Sequence, residues 1–158
     1  MKYLTLIALV FTAPLAQADF WDNCTAYGGT IIQANKYGAD QGGLCNNPSD
    51  PNLTNNCNGK RFCRGNNGMT WWSAFTWCEA IGGQLTSFEN LCPGTQIINS
   101  GTCPNMKGSS SGHGWTSQGW GQDTALILNF ATGGIETRTR ATSKAPGGGT
   151  PMRSICEE

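Results

Sequence analysis

Eight cysteines, at positions 24, 45, 57, 63, 78, 92, 103 and 156, constrain this chain more than any other feature. All of them follow an N-terminal segment built like a signal peptide. Lys2 gives a positive start, residues 3–15 an apolar run, and Ala16-Gln17-Ala18 a small-x-small cleavage site. An even number of cysteines behind such a leader reads as a disulfide framework made in an oxidising compartment. Zinc would call for cysteine pairs with roughly two to four residues between them. Cys57 and Cys63, the closest in sequence, are spaced too widely for that.

Cleavage is expected after Ala18, leaving residues 19–158 as a single domain; domains most often run to roughly 100–150 residues. No later stretch approaches the ~20 apolar residues of a membrane helix, so a secreted protein without membrane insertion is expected. The short positive start and the Ala-Gln-Ala-Asp junction read as bacterial. That reading places the protein in the periplasm or at the extracellular surface. It also leaves the acceptor patterns Asn23-Cys24-Thr25 and Asn52-Leu53-Thr54 incidental. Lys2 leaves with the leader, so nine basic side chains face ten acidic ones. No basic surplus points to nucleic acid or an anionic membrane. With 22 glycines and only 13% charged residues, the chain is expected to be rich in turns. A core of modest size then needs covalent help.

Residues 19–40 hold one strand candidate, residues 29–33, after a glycine turn. Residues 41–68 form an Asn/Gly-rich insertion of turn residues in which Arg61-Phe62-Cys63-Arg64 reads as a short strand. Residues 70–82 predict the best helix: Thr70 as N-cap, Gly82-Gly83 as the stop. Trp71, Ala74, Phe75, Cys78 and Ile81 recur at three- and four-residue steps and predict one buried stripe. Trp72 and Trp77 fall off it. Residues 87–91 predict a second, shorter helix. Strands are expected at 114–117, 125–130, 135–141 and 152–156, with Ala131-Thr132-Gly133-Gly134 as a hairpin loop. Helices followed by strands that return on one another give the α+β class.

The pattern Trp71-x-x-Ala74-x-x-x-Cys78-x-x-x-Gly82-Gly83-x-Leu85, read with Ile155-Cys156-Glu157, resembles the C-type-lectin-like domain. The matched segments follow the family order but cover less than half of the mature chain. The resemblance implies two short helices on a small antiparallel sheet whose last strand returns beside the first. It also implies a long-range disulfide between Cys78 and Cys156. For the other six cysteines 15 pairings stay open. Nearness in sequence favours Cys45–Cys57 and Cys92–Cys103 as local staples, which leaves Cys24–Cys63.

The chain departs from the family where the family binds sugar. Glu-Pro-Asn, Gln-Pro-Asp and Trp-Asn-Asp, whose oxygens hold calcium, are absent. The long loop is reduced to residues 118–124, and Thr124 stands where a cysteine usually precedes Ala-x-Leu. Calcium takes roughly six to eight oxygens, and Gln122-Asp123 is the only polar remnant. No metal and no cofactor is therefore expected. His113, the single histidine, sits in a Ser/Gly stretch that reads as a solvated loop, so no enzyme is expected.

Six tryptophans invite a stacking site. Trp71 and Trp115 belong to the expected core. Trp72, Trp77 and Trp120 are the candidate ligand-binding aromatics, Trp120 foremost because Gln122 and Asp123 are its neighbours. Arg138, Arg140 and Arg153 are expected to share a sheet face, either simply solvated or attractive to an anionic glycan. The reading that results is a secreted, non-catalytic recognition domain, binding a protein or glycan at a cell surface without calcium. The alternative is a building block of a cell-surface or fimbrial assembly.

Overall fold

The structure, a computed structural model, describes residues 19–33, 60–92, 101–103, 106, 112–144 and 149–158. The expected leader, the expected Cys45–Cys57 bridge and most of the 41–68 insertion lie outside the described residues. The elements are α1 (Phe20–Ala26), β1 (Gly29–Gln33), β2 (Arg61–Gly65), α2 (Trp71–Ala80), β3 (Gln84–Leu85), α3 (Phe88–Leu91), β4 (His113–Gly119), β5 (Thr124–Asn129), β6 (Ile135–Thr139) and β7 (Met152–Glu157). They form an α+β unit whose seven strands make one mixed sheet. The order is β1-β2-β7-β4-β5-β6, with β3 also paired to β7.

Two expectations are corrected. The sheet is not wholly antiparallel, because β4 and β7 run parallel with His113 opposite Met152. The chain leaves β6 at Thr139, level with Thr124. β7 starts beside the start of β4, at the His113 end. The described helices are three rather than two, since α1 precedes β1. Seven residues are too few to show a helical repeat. What fixes α1 is tertiary contact: Phe20 and Cys24 are buried, and the Asn23 amide donates to the Ile81 carbonyl at 3.2 Å.

The sheet has a core on each face. β5 shows why: Ala125 and Ile127 point to one side, Leu126 and Leu128 to the other, and all four are fully buried. A strand buried on both faces reads as a continuous apolar run, as Ala-Leu-Ile-Leu does. One core gathers Phe62, Phe88, Leu91, Phe130 and Ile155 around α3. The other packs Trp71, Ala74, Cys78 and Ile81 of the α2 stripe against Trp115, Met152 and Cys156. Phe75 lies on the stripe but stays half-buried.

Helix α2 begins and ends as its sequence dictates. The Thr70 hydroxyl accepts from the Ser73 N–H, a cap generally worth about 1 kcal/mol. At the other end Gly82 takes φ +87°. The Gly83 and Gly82 N–H groups donate back to the Cys78 and Glu79 carbonyls at 2.9 and 3.0 Å, the paired bonds of a Schellman stop. Gly83 must also lack a side chain, because a Cβ there would run into the Phe20 ring. Two indoles then lock α2 to β4. Trp71 Nε1 donates to the Thr116 carbonyl and Trp115 Nε1 to the Met69 carbonyl, both at 2.8 Å.

Among the described residues three disulfides close the unit: Cys24–Cys63, Cys78–Cys156 and Cys92–Cys103, with sequence separations of 39, 78 and 11. Cysteines at such separations stay bonded in an oxidising, secreted or extracellular setting. No helix of the described residues is long and apolar enough to cross a membrane. Chain-entropy bookkeeping ranks the bridges, at about 4.5, 3.9 and 2.8 kcal/mol for Cys78–Cys156, Cys24–Cys63 and Cys92–Cys103. Paired Cys→Ser variants in denaturant titrations are expected to lose stability in that order. Equal losses for the longest and shortest bridges would show that loop closure does not set the ranking.

Candidate functional site

The N-terminal end of α2, the 120–124 turn and the chain just past β6 meet at one rim of the sheet. Their meeting point is Arg140. Its N–H donates to the Asp123 carbonyl at 2.8 Å, and its carbonyl accepts from the Trp71 N–H at 2.9 Å. Its Nε donates to the Thr124 carbonyl at 3.2 Å. The guanidinium then lies over the Trp71 ring, 4.4 Å from the centroid, with Trp72 at 5.6 Å. Cation–π contacts of this kind contribute about 0.5–2 kcal/mol. Trp71 and Trp72 meet edge to face at 4.6 Å, and Trp71 meets Phe75 likewise at 4.5 Å. Arg140 is therefore held by backbone bonds and by aromatic stacking at once.

Beside it opens a groove of about 310 Å³ lined by Trp72, Gln122, Asp123, Thr139, Arg140 and Ala141. A second concavity, of about 440 Å³, runs along the outer face of α2 between Trp72, Ser73, Thr76, Trp77 and Ala80. Trp72 is the wall shared by both and is 59% exposed. An indole so exposed makes no contribution to the core that would explain it.

The five candidate ligand residues are distributed accordingly. Trp72, Gln122 and Asp123 come together in the smaller groove; Trp72 and Trp77 share the larger one. Trp77 is half-buried against the core. Trp120 is exposed, but it lines neither concavity. Sequence reasoning missed Thr139 and Ala141, and it read Arg140 only as part of a strand face. Ser73, Thr76 and Ala80 were missed as well, although a signal existed, since with Trp72 and Trp77 they fall on one side of a helix.

The shared arginine face is corrected. Arg153 pairs with Gly114 and Gly114 with Leu128, while Arg138 pairs with Ala125. Leu128 and Ala125 stand on opposite sides of β5, so Arg153 faces away from Arg138 and Arg140. Arg153 instead neighbours Arg64, whose pKa is lowered by burial and then by the Arg153 charge.

His113 is corrected too, from solvated loop to buried strand residue. Strands pair on both of its sides, with Asn129 and Met152 as register partners. Its Nδ1 lies 3.3 Å from the Thr150 hydroxyl and its Nε2 3.7 Å from a Glu136 carboxylate oxygen. Hydroxyl, imidazole and carboxylate do stand in a row, but 3.7 Å is no hydrogen bond. The Glu136 carboxylate is already engaged by Arg138 and by the Asn129 amide. Burial lowers the His113 pKa; Glu136 opposes that and Arg138 reinforces it.

A second polar cluster closes the end of β7. Glu157, 3% exposed, accepts from Lys60 at 2.6 Å, from Asn90 at 2.8 and 2.9 Å, from Thr86 at 3.1 Å and from Gln84 at 3.3 Å. Burial works to raise its pKa. The bonds from Lys60, Asn90 and Thr86, with the Lys60 charge, outweigh it and hold the carboxyl below the ordinary glutamate range. Among the described residues no group of three His, Cys, Asp or Glu side chains is placed to hold a metal ion. No protein-family model matches the chain, and no curated protein matches it.

Both buried groups release protons more readily folded than unfolded, so the unfolded state binds more protons as pH falls. Stability is full above the unfolded values and declines below them. The expected profile has an upper step below about pH 6.5 from His113 and a lower one below about pH 4.3 from Glu157. Unfolding midpoints measured across that range should lose the upper step in His113→Gln and the lower in Glu157→Gln. A profile unchanged by either substitution would contradict these assignments.

Proposed function

We propose that this chain is a secreted, non-catalytic recognition domain of C-type-lectin-like type that binds a protein or glycan ligand without calcium. The observation that carries this reading is the exposed Trp72 beside a fixed Arg140 at a rim groove. A rigid aromatic surface next to a few polar groups is how proteins recognise ligands at low entropic cost. The frame supports the family assignment through its order: a capped helix with the Gly-Gly-x-Leu stop, a short helix, strands, and the Cys78–Cys156 tie from α2 to the last strand.

Independence from calcium follows from the charge beside the groove. Gln122 and Asp123 supply few oxygens, whereas calcium takes roughly six to eight. Arg140 adds a permanent positive charge to the same walls, which repels a divalent cation. The intramolecular disulfides fit a periplasmic or extracellular setting.

A glycan and protein array probed with and without chelator tests the proposal. Binding unchanged by chelator is the expected result. Binding abolished by chelator would overturn the calcium claim. A protein that binds nothing on the array and purifies as a high-mass polymer would favour a structural building block instead.

A further inference from the structure

Arg140 differs from its strand neighbour in what its charge meets. Arg138 donates to the Thr137 carbonyl and pairs with Glu136. Among the described residues no carboxylate pairs with Arg140. Its Nε is used by the Thr124 carbonyl, and neither terminal nitrogen donates to a described residue. The guanidinium is nonetheless fixed, over the Trp71 ring and tied by its Nε to the Thr124 carbonyl, while two main-chain bonds hold the residue itself. With Nε taken by Thr124 and one terminal nitrogen close against Gly119, the end-on edge of the fixed guanidinium is the one left to meet a carboxylate, the group an arginine grips through two parallel hydrogen bonds.

The opposite requirement comes from Asp123, an acidic residue that lines the same groove. A small bare anion seated on Arg140 would meet repulsion there. The two charges are satisfied together by a ligand with an anionic group at one end and hydroxyl donors at the other. Trp72 lines the groove with them, and the negative π face of an indole suits the C–H side of a sugar ring. About 310 Å³ is at the small end of ligand pockets, which run roughly from 300 to 1,000 Å³. That volume suits one ring-sized group.

We propose that the groove binds an acidic sugar of the uronic-acid class, its carboxylate on Arg140, its ring against Trp72 and its hydroxyls toward Asp123 and Gln122. This inference rests on the recognition reading above and narrows its ligand to a glycan bearing a carboxylate. An acidic peptide would supply the charge but neither the flat C–H face nor the cluster of hydroxyls.

The test is calorimetric titration of the oxidised mature protein with a glucuronate-containing oligosaccharide and with its carboxyl-reduced counterpart. Hydrogen bonds to charged groups carry enough free energy that carboxyl reduction is expected to weaken binding roughly tenfold to a hundredfold. Arg140→Gln should impose the same loss on the acidic ligand and a much smaller one on the reduced ligand. Trp72→Ala, at an exposed position, should weaken both. Because Arg140 also packs on Trp71, the comparison of two ligands on the unmutated protein stands even if that variant fails to fold. Equal affinity for acidic and reduced sugars would overturn the inference while leaving glycan recognition intact. Binding undiminished in Trp72→Ala would remove the groove as the site. Capture of acidic peptides but of no sugar would overturn the sugar class while sparing recognition itself, and failure to bind any glycan or protein would overturn both readings.

Discussion

The last strand, Met152–Glu157, holds the molecule together by having three partners. Its second half lies between β2, with Cys63 opposite Cys156, and β3, with Leu85 opposite the same residue. Its first half runs beside β4. Where β4 and β7 diverge, Thr86 bridges them, donating to the Ile155 carbonyl and accepting from the Ser117 N–H, each at 2.8 Å. Cys156 adds a covalent bond to α2, and Glu157 gathers Lys60, Gln84, Thr86 and Asn90 around its carboxylate. No other described strand pairs with three others. A sheet whose final strand sits near its middle forms contacts across most of the chain length, which disfavours stable partial folds and slows folding.

The groove inherits its order from that frame. Met69 donates to the Met152 carbonyl and the Trp71 N–H to the Arg140 carbonyl, so the approach to α2 is fastened to β7 on one side and to the end of β6 on the other. Trp71 anchors inward through its indole N–H and offers its ring face to Arg140. Trp72, next along the helix, is carried to the outside by the helical turn. One residue builds the core and its neighbour stays exposed; the step of about 100° per residue in a helix separates the two. A site held this way loses little freedom on binding.

Much of the frame was legible in the sequence because its signals are local. The Thr70 cap, the Gly82-Gly83 stop and the three-and-four spacing from Trp71 to Ile81 specify α2 without outside help. The apolar run from Ala125 to Leu128 does the same for β5. Other parts have no local signal. β3 is two residues long and exists only because β7 lies beside it. The parallel entry of β7 is set by its pairing with β4, far away in sequence. His113 looked like linker because its Ser/Gly neighbours are turn formers, yet strands on both sides bury it. At the groove, Trp72, Gln122 and Asp123 were legible as candidates, being an off-stripe indole and the polar residues of a shortened loop. Arg140 was placed on a strand face, because its role arises from stacking on a helix far away in sequence. Strand periodicity assigned Arg153 to the wrong face, since register between strands, not spacing within one, decides which side is shared.

If frame and groove form one cooperative unit, native-state hydrogen exchange will show it. The amides of Trp71 and Arg140, which bond to the Arg140 and Asp123 carbonyls, should exchange only through global unfolding, with the same opening free energy as Ile155 and Cys156 in β7. Exchange of Trp71 and Arg140 through local openings far cheaper than those of β7 would contradict a groove preorganised by the closing strand.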